Sequence, residues 1–413
     1  MMNKTSLLIA AMFCTAAPQI AAAELTLLNP GVQDSVPSRL NADAPKRAGT
    51  METEALRYSW RLDDAAALSA VAEPQVTRSK EYWDTRSAAE MASGIDLPTT
   101  SPGAIVRLSP VAGASAKALE ARRVILSKDG QSYSNGSGMQ ALADSDELSK
   151  GAASFAEGSS VFRIDPALGH GNFKLQLPQA TGDTIVHVFE PQSLWQLELK
   201  SDRIAYAAGG KIRIDTWLRN EQTSVGVDEI TGLIVSPDGQ TREFNFRANK
   251  DGGYSAEIQA DFVASDSPAL FEIHAFASAK DKQTRVLRDA RAAFAFAAPG
   301  ARFAGGARSA ALKSAQSISV ELDVEVARAS RYQVGGVLYG SFKDGSLRPI
   351  AMAQSAMLMQ PGVQSITLEY SAESLANTKA GAPFEVRDLQ LVDQANMGLQ
   401  EQRVRALVFD AAD

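Results

Sequence analysis

The residues best suited to chemistry are three carboxylates at alternate positions, Glu321, Asp323 and Glu325. In a β-strand they would line one face, about 6.5 to 7 Å apart at the strand rise. Carboxylate oxygens are the ligands that calcium prefers, so these three residues are a candidate cation site. The alternative is a solvated face whose charges are compensated by a neighbouring strand. Arg403 and Arg405 alternate in the same way, and the sequence favours pairing between these two sets.

The other catalytic residue types are sparse. The three histidines, His170, His187 and His274, lie far apart in the sequence, and no H-E-x-x-H pair is present. No G-x-S-x-G nucleophile motif, phosphate-binding loop or dinucleotide fingerprint occurs. We therefore predict no metal and no cofactor, and the catalytic residues, if there are any, stay unknown. A pair of carboxylates in a cleft is the one enzymatic arrangement that the sequence leaves open.

Two tryptophans are candidates for exposed binding residues. Tyr82 and Trp83 fall in a helix predicted to start at Ser79 and end at Gly94, where only one of the two rings can face the core squarely. The other ring would be exposed or would pack on a neighbouring domain. Trp217 lies on the polar face of a predicted strand, where it would bind a ligand or contact another domain. By contrast, Tyr58 and Trp60 share a face with Leu56 and Leu62 in a predicted strand, and they are predicted to face a core.

The amino-terminal residues are typical of a cleaved export signal. Lys4 precedes an apolar run from Leu7 to Ala17, and Ala21, Ala22 and Ala23 are the small residues that a signal peptidase requires. Residues 1–23 are predicted to be removed, so that the protein reaches the periplasm or the medium without a membrane anchor. The only cysteine, Cys14, lies inside this signal, and the mature chain would therefore contain no thiol.

The remaining sequence predicts an all-β protein made of tandem antiparallel sandwiches. A chain of 413 residues is too long to fold around a single hydrophobic core, so several domains are expected. Apolar residues alternate with polar ones through many short segments that are separated by Asp-Gly turns. We predict an amino-terminal β-sandwich-like domain with a few short helices over residues 24–193, an immunoglobulin-like domain over 194–299 and a carboxy-terminal sandwich over 300–413. Residues 30–55 are predicted to be loosely ordered. A short helix is predicted at 65–72, and a linker before the carboxy-terminal domain is predicted at 299–306.

Three segments resemble a family of exported bacterial proteins known as domain of unknown function 4785. They are the segments Ser79–Trp83, Val161–Pro166 and His187–Pro191. The resemblance implies an amino-terminal domain followed by two immunoglobulin-like sandwiches. It implies no activity, because none is established for the family, and it therefore identifies no catalytic residue.

The function predicted from the sequence is that of an exported, non-enzymatic binding protein that recognises a protein or a glycan. Two alternatives remain: a hydrolase with a carboxylate pair in or beside the amino-terminal domain, and a periplasmic scaffold or accessory subunit. A net charge of −7 disfavours nucleic acid as a partner. The oligomeric state stays unknown.

Overall fold

The structure is a computed structural model. It describes residues 23–43, 52–63, 68, 74–111, 119–148, 156–262, 269–312, 317–395 and 398–410. Most of the predicted export signal and the predicted helix at 65–72 lie outside these residues. No helix within the described ranges is long and apolar enough to cross a membrane.

Short strands dominate the first part of the chain. They are accompanied by two short α-helices and by 3₁₀ turns at Ala121–Arg123 and Pro166–Leu168. The elements are β1 (Ala23–Thr26), β2 (Leu56–Arg61), β3 (Gln75–Ser79), β4 (Glu81–Arg86), α1 (Ala88–Ser93), β5 (Ile95–Thr99), β6 (Ile105–Pro110), β7 (Ile125–Lys128), β8 (Gln131–Tyr133), β9 (Met139–Ala143), α2 (Ser145–Leu148), β10 (Ser160–Ile164), β11 (Gly171–Gln176) and β12 (Thr184–Phe189).

Longer strands make up the rest of the chain. In the central part they are β13 (Trp195–Ser201), β14 (Ala205–Ala207), β15 (Lys211–Asn220), β16 (Thr223–Val225), β17 (Glu229–Val235), β18 (Thr241–Asn245), β19 (Arg247–Ala248), β20 (Tyr254–Gln259), β21 (Phe271–Asp281) and β22 (Thr284–Ala297). In the last part they are β23 (Ala301–Leu312), β24 (Ser317–Val326), β25 (Ser330–Ser341), β26 (Leu347–Met359), β27 (Gly362–Tyr370), α3 (Ala372–Leu375), β28 (Gly381–Asp393) and β29 (Gly398–Phe409).

These strands form three sandwiches, each with its own hydrophobic core. In the amino-terminal sandwich the sheet β4-β12-β6-β10-β9 faces the sheet β5-β11-β7-β8. In the central sandwich β18-β17-β21-β22 faces β19-β20-β15-β13-β3, and in the carboxy-terminal sandwich β1-β23-β24-β27 faces β2-β26-β25-β28-β29. The prediction of an all-β fold of tandem sandwiches is confirmed.

The predicted alternation of buried and solvent-facing residues is observed directly in β15 and β24. Ile212, Ile214, Thr216 and Leu218 are buried in the central core. Every second residue of β24 from Ile318 to Val326 is buried in the carboxy-terminal core. A strand whose side chains alternate between two faces buries one complete apolar set in this way, which is why the sequence pattern is so informative here.

The first three strands lie outside the amino-terminal sandwich, although they fall within its predicted range of residues 24–193. β3 pairs with β13 of the central sandwich. β1 pairs with β23, and β2 pairs with β26, so that both extend sheets of the carboxy-terminal sandwich. The segment between them also contacts that sandwich, because Ser35 and Gln402 form an isolated β-bridge. Residues 23–43 are therefore partly ordered by contacts that are distant in sequence, which local composition does not reveal.

The helix predicted from Ser79 to Gly94 is wrong over most of its length. Residues 81–86 form strand β4, which pairs along its whole length with β12 and buries Tyr82. The helix α1 begins only after Ser87, whose side chain accepts from the Glu90 backbone N–H while the Glu90 carboxylate accepts from the Ser87 N–H. This capping box is visible in the sequence as Ser-Ala-Ala-Glu and marks the true start of the helix.

The predicted linker at 299–306 is shorter than expected. β23 begins at Ala301, and Gly305 and Gly306 lie inside this strand, at a shift of register between Phe303 and Ala307. A bulge, which inserts unpaired residues into a ladder, therefore accounts for this glycine pair.

Candidate functional site

The main candidate site is a cleft between the amino-terminal and central sandwiches. Strands β4 and β22 join the two sandwiches into one ten-stranded sheet, but they pair only at Glu81 and Asp289. Beyond that position the strands separate and leave a cleft of about 840 Å³. β4, α1, β5 and β11 line one wall, and β17, β21 and β22 line the other.

A buried carboxylate closes the narrow end of the cleft. Asp289 is only 5% exposed, and its Oδ2 accepts a hydrogen bond of 2.8 Å from the backbone N–H of Trp83. Burial raises the pKa of Asp289 to about 7, and the nearby carboxylates of Asp84 and Glu81 act in the same direction. The residue is therefore a candidate proton donor or acceptor near neutral pH.

The backbone edge of β4 faces the cleft. The N–H of Trp83 points to Asp289 and so away from β12, the partner of β4 on its other side. In an antiparallel pair the backbone groups of every second residue point to the same edge. The N–H and C=O of Thr85 are therefore directed to this edge as well. Within the described chain no other strand pairs with β4 there.

An aromatic cluster crosses the junction next to the cleft. The Trp83 ring contacts His274 and Phe276 of the central sandwich at centroid distances of 5.8 and 6.3 Å, and His187 of its own sandwich at 6.2 Å. Trp83 is thus half-buried on a strand and not on the predicted helix, and its ring packs on the neighbouring domain, which was one of the two alternatives predicted for it. It borders the cleft and also holds the two sandwiches together.

Two histidines of this cluster are paired with glutamates. Nε2 of His187 lies 2.9 Å from Glu81, and Nε2 of His274 lies 2.8 Å from Glu272. The hydrogen bond from His187 keeps the pKa of Glu81 below its usual value, although burial opposes this shift. Glu272 and His274 lie two residues apart on β21 and so share one face, but nothing in the sequence indicates that the two histidines meet around Trp83.

A fully buried ion pair fixes the linker between the two sandwiches. Glu190 and Arg288 lie 2.8 Å apart, and both side chains are inaccessible to solvent. Glu190 also accepts from the backbone N–H groups of Thr100 and Ser101, and Arg288 donates to the backbone carbonyl of Trp195 and to the Ser193 hydroxyl. A charge pair whose partners are satisfied in this way holds the cleft walls at a defined position.

Sequence reasoning missed Asp289, Glu190 and Arg288. One signal was present: the adjacent charged residues Arg288 and Asp289 place a charge on each face of the strand, between Leu287 and Ala290. Charged residues in the middle of a buried strand are rare unless they are paired, so these two charges mark a position with a specific role.

The carboxylates Glu321, Asp323 and Glu325 lie on β24, which belongs to the carboxy-terminal sandwich and does not line the cleft. Arg308 of β23 is 2.6 Å from Glu321 and 2.8 Å from Asp323, and Arg302 is 2.8 Å from Glu325. Compensation by a neighbouring strand is therefore observed. The described residues contain no group of three or more His, Cys, Asp or Glu side chains arranged to hold a metal ion.

The predicted partners of these carboxylates were wrong. Arg403 and Arg405 lie on β29, which belongs to the opposite sheet, and they pair with Glu401 and Glu385. Acidic and basic strands can be recognised from sequence, but which of them are neighbours depends on long-range topology.

Trp217 packs within the central sandwich. It lies on β15 next to Arg219, whose guanidinium carbon is 5.5 Å from the ring centroid. A Cβ atom at Gly253 would lie 2.3 Å from its Nε1, so the ring covers a turn that requires glycine. These contacts place Trp217 against its own domain.

His170 does not join the cluster around Trp83. It lies in the loop between β10 and β11.

Three family models match consecutive parts of the chain. They are the amino-terminal domain of DUF4785, a domain of unknown function, at residues 47–190, its central domain at 193–297 and its carboxy-terminal domain at 301–410. The chain belongs to the DUF4785 family. The resemblance seen in the sequence is thereby confirmed, and the chain is a multi-domain member of a family whose function is unknown.

Solved structures support the same fold. The crystal structure of a DUF4785 family protein from Legionella pneumophila matches with a TM-score of 0.69 and 20% sequence identity, over 90% of this chain and 98% of that chain. The FN1–FN3 domains of chicken CNTN1 match with a TM-score of 0.21 and 9% identity, over 82% of this chain and 98% of that chain, which is too weak to support any inference. No curated protein matches this DUF4785 chain.

Proposed function

We propose that this DUF4785 protein is an exported, non-enzymatic binding protein and that the cleft between its first two sandwiches takes an extended polypeptide segment. The observation that carries the proposal is the open backbone edge of β4 in the cleft, next to Asp289. An extended peptide can add to such an edge by main-chain hydrogen bonds, while pockets along the cleft select its side chains.

The lining of the cleft suits a peptide of mixed charge. Acidic and basic side chains both line it, among them Asp84, Glu90, Arg86 and Lys174. Arg86 forms ion pairs with Asp84 and Glu90. Phe276 and Leu287 provide apolar surface between these charges. A rigid frame with a few polar groups at defined positions favours recognition without a large conformational change.

The test is selection of a phage-displayed library of random linear peptides on the full-length protein, followed by binding measurements with Thr85→Pro and Thr85→Ala. Proline removes the N–H of residue 85, which points to the open edge, and proline is tolerated at an edge of this kind. Alanine keeps the N–H and serves as the matched control. We expect peptide binding to be lost in T85P and kept in T85A.

Equal binding by both variants would refute strand addition at β4. Failure to select any peptide, together with capture of a glycan by the cleft, would replace the proposed ligand by a carbohydrate. Export is tested separately by cell fractionation, which compares the full chain with a variant that lacks residues 1–23. Retention of the intact chain in the cytoplasm would contradict that part of the proposal.

One observation favours hydrolysis as a second candidate function. Asp289 is a carboxylic acid with a pKa of about 7 at the junction where the sequence analysis placed a carboxylate pair. A general acid with such a pKa is well matched to neutral pH. Asp84, the cleft-wall carboxylate that also raises the pKa of Asp289, is paired with Arg86, which favours binding over catalysis. Hydrolysis of a glycan or peptide panel that disappears in Asp289→Asn would support the enzyme.

A further inference from the structure

The edge strand β2 of the carboxy-terminal sandwich exposes its aromatic side chains, while its opposite face makes polar contacts. Tyr58 is 61% exposed and Trp60 is 41% exposed. Ser59, on the opposite face, exchanges hydrogen bonds with Ser371, and Arg61 donates to the backbone carbonyl of Ala376. The sequence prediction that Tyr58 and Trp60 face a core is therefore wrong.

Packing alone does not explain this orientation. A shift of β2 by one residue would move both rings to the inner face, because successive side chains of a strand point to opposite sides. The hydrogen bonds between Ser59 and Ser371 fix the observed register instead. Two large rings held in solvent by a specific polar contact indicate a binding role, because exposed aromatic side chains that are grouped together commonly mark interaction sites.

Glutamine side chains on the strands next to β2 lie in one row with the exposed ring of Tyr58. Tyr58 is opposite Gln354, which is followed across the sheet by Gly335, Gln390 and Gln402. Gly335 carries no side chain, and the Gln354 side chain packs over it: a Cβ atom at Gly335 would lie 3.4 Å from Cγ of Gln354. Each glutamine amide presents both hydrogen-bond donors and acceptors. The row therefore combines one aromatic ring with three amides along a single line across the sheet.

The charged groups beside this row compensate one another. Glu385 pairs with Arg387 at 2.7 Å and also with Arg405. Gln390 and Gln402 both donate to the carboxylate of Asp388. The face as a whole offers hydrogen bonds and apolar ring surface without a net field of one sign. A ligand that is itself uncharged and rich in hydroxyl groups matches this surface best.

We infer that this face, defined by Tyr58, Trp60, Gln354, Gly335, Gln390 and Gln402, binds a neutral oligosaccharide. The two rings lie about 6.5 to 7 Å apart along β2 and stack on the apolar faces of successive sugar units. The glutamine amides hydrogen-bond to the hydroxyl groups along the chain. This site is separate from the peptide cleft and would attach the protein to a polysaccharide.

The experiment uses the full-length protein on an array of neutral oligosaccharides that includes glucans, xylans, mannans, galactans and chitin fragments. Binding constants for the glycan retained are then measured for Tyr58→Ala, Trp60→Ala and a matched control, Val363→Ala. Val363 is also strongly exposed but lies on β27, in the other sheet of the same sandwich. We expect each ring substitution to weaken binding by roughly tenfold and V363A to leave binding unchanged.

A protein that binds no neutral glycan on the array would overturn the inference. So would equal binding by the wild type and both ring variants, or capture of anionic glycans only. Because Tyr58 and Trp60 are exposed, their replacement is expected to leave the thermal unfolding temperature close to that of the wild type. T85P provides a second control: it abolishes peptide binding in the cleft and leaves glycan binding intact, so the two proposals can fail independently.

Discussion

The buried pair of Glu190 and Arg288 gives the sharpest prediction about the stability of the junction. In Glu190→Gln the carboxylate is replaced by a neutral group of the same shape, and the guanidinium of Arg288 stays in a site with no access to solvent. The variant also weakens the hydrogen bonds from the backbone N–H groups of Thr100 and Ser101. Loss of one partner of a buried pair costs about 3 to 5 kcal/mol.

The assay is urea unfolding followed by tryptophan fluorescence. Trp83 and Trp195 lie at the junction of the two sandwiches and report on its opening. We expect the transition of these two sandwiches to move to lower urea by the equivalent of about 3 to 5 kcal/mol in E190Q. The transition of the carboxy-terminal sandwich is expected to stay in place, because its core is separate.

The matched control is Glu257→Gln, which breaks an exposed pair with Lys211 in the central sandwich. Exposed pairs contribute less than about 1 kcal/mol, so this change should be barely measurable. A double variant that combines E190Q with Arg288→Met removes both charges and should recover part of the loss. Equal effects of E190Q and E257Q, or no recovery in the double variant, would refute the role assigned to the buried pair.

Two further predictions concern the cleft and the central sandwich. Burial raises the pKa of Asp289 to about 7, so the protonated form favours the folded state, and this contribution is lost as the pH rises through about 7. Asp289→Asn is therefore expected to be more stable than the wild type at pH about 8, by up to about 4 kcal/mol, with the advantage shrinking toward pH about 4; an advantage independent of pH in urea titrations would contradict this. In Gly253→Ala the added Cβ would lie 2.3 Å from Nε1 of Trp217 and 2.7 Å from the carbonyl of Thr216, so we expect a loss of about 1 to 3 kcal/mol. Unchanged thermal unfolding of this variant would show that the ring can move aside.

The parts of the fold that the sequence predicted well are those in which one local pattern decides the structure. β24 alternates strictly over ten residues, and each apolar residue in it reaches the core. Asp129 and Gly130 both adopt positive φ angles, 50° and 79°, at the hairpin between β7 and β8, as the Asp-Gly dipeptide predicts. In both cases the information lies within a few neighbouring residues.

The errors arise where a distant partner decides the structure. The residues of β4 were compatible with a helix, but pairing with β12 and burial of Tyr82 make them a strand. The partners of β24 could not be found from charge patterns alone, because either β23 or β29 offers suitable arginines. The cleft itself depends on where β4 and β22 separate, and these strands are about 200 residues apart in sequence.

The most instructive error concerns β2. Its residues alternate between two faces as predicted, but the face that carries Tyr58 and Trp60 is the outer one and not the predicted inner one. Alternation shows that Tyr58 and Trp60 share one face, but it does not show which face is inside. Hydrophobicity normally decides this, and here Ser59 lies on the inner side, where it is held by hydrogen bonds with Ser371, the residue before α3. A strand that turns its rings outward loses the stabilisation that their burial would give, which is expected at a site where ligand binding outweighs stability. The same two residues that mislead the fold prediction therefore identify the surface on which we expect a glycan to bind.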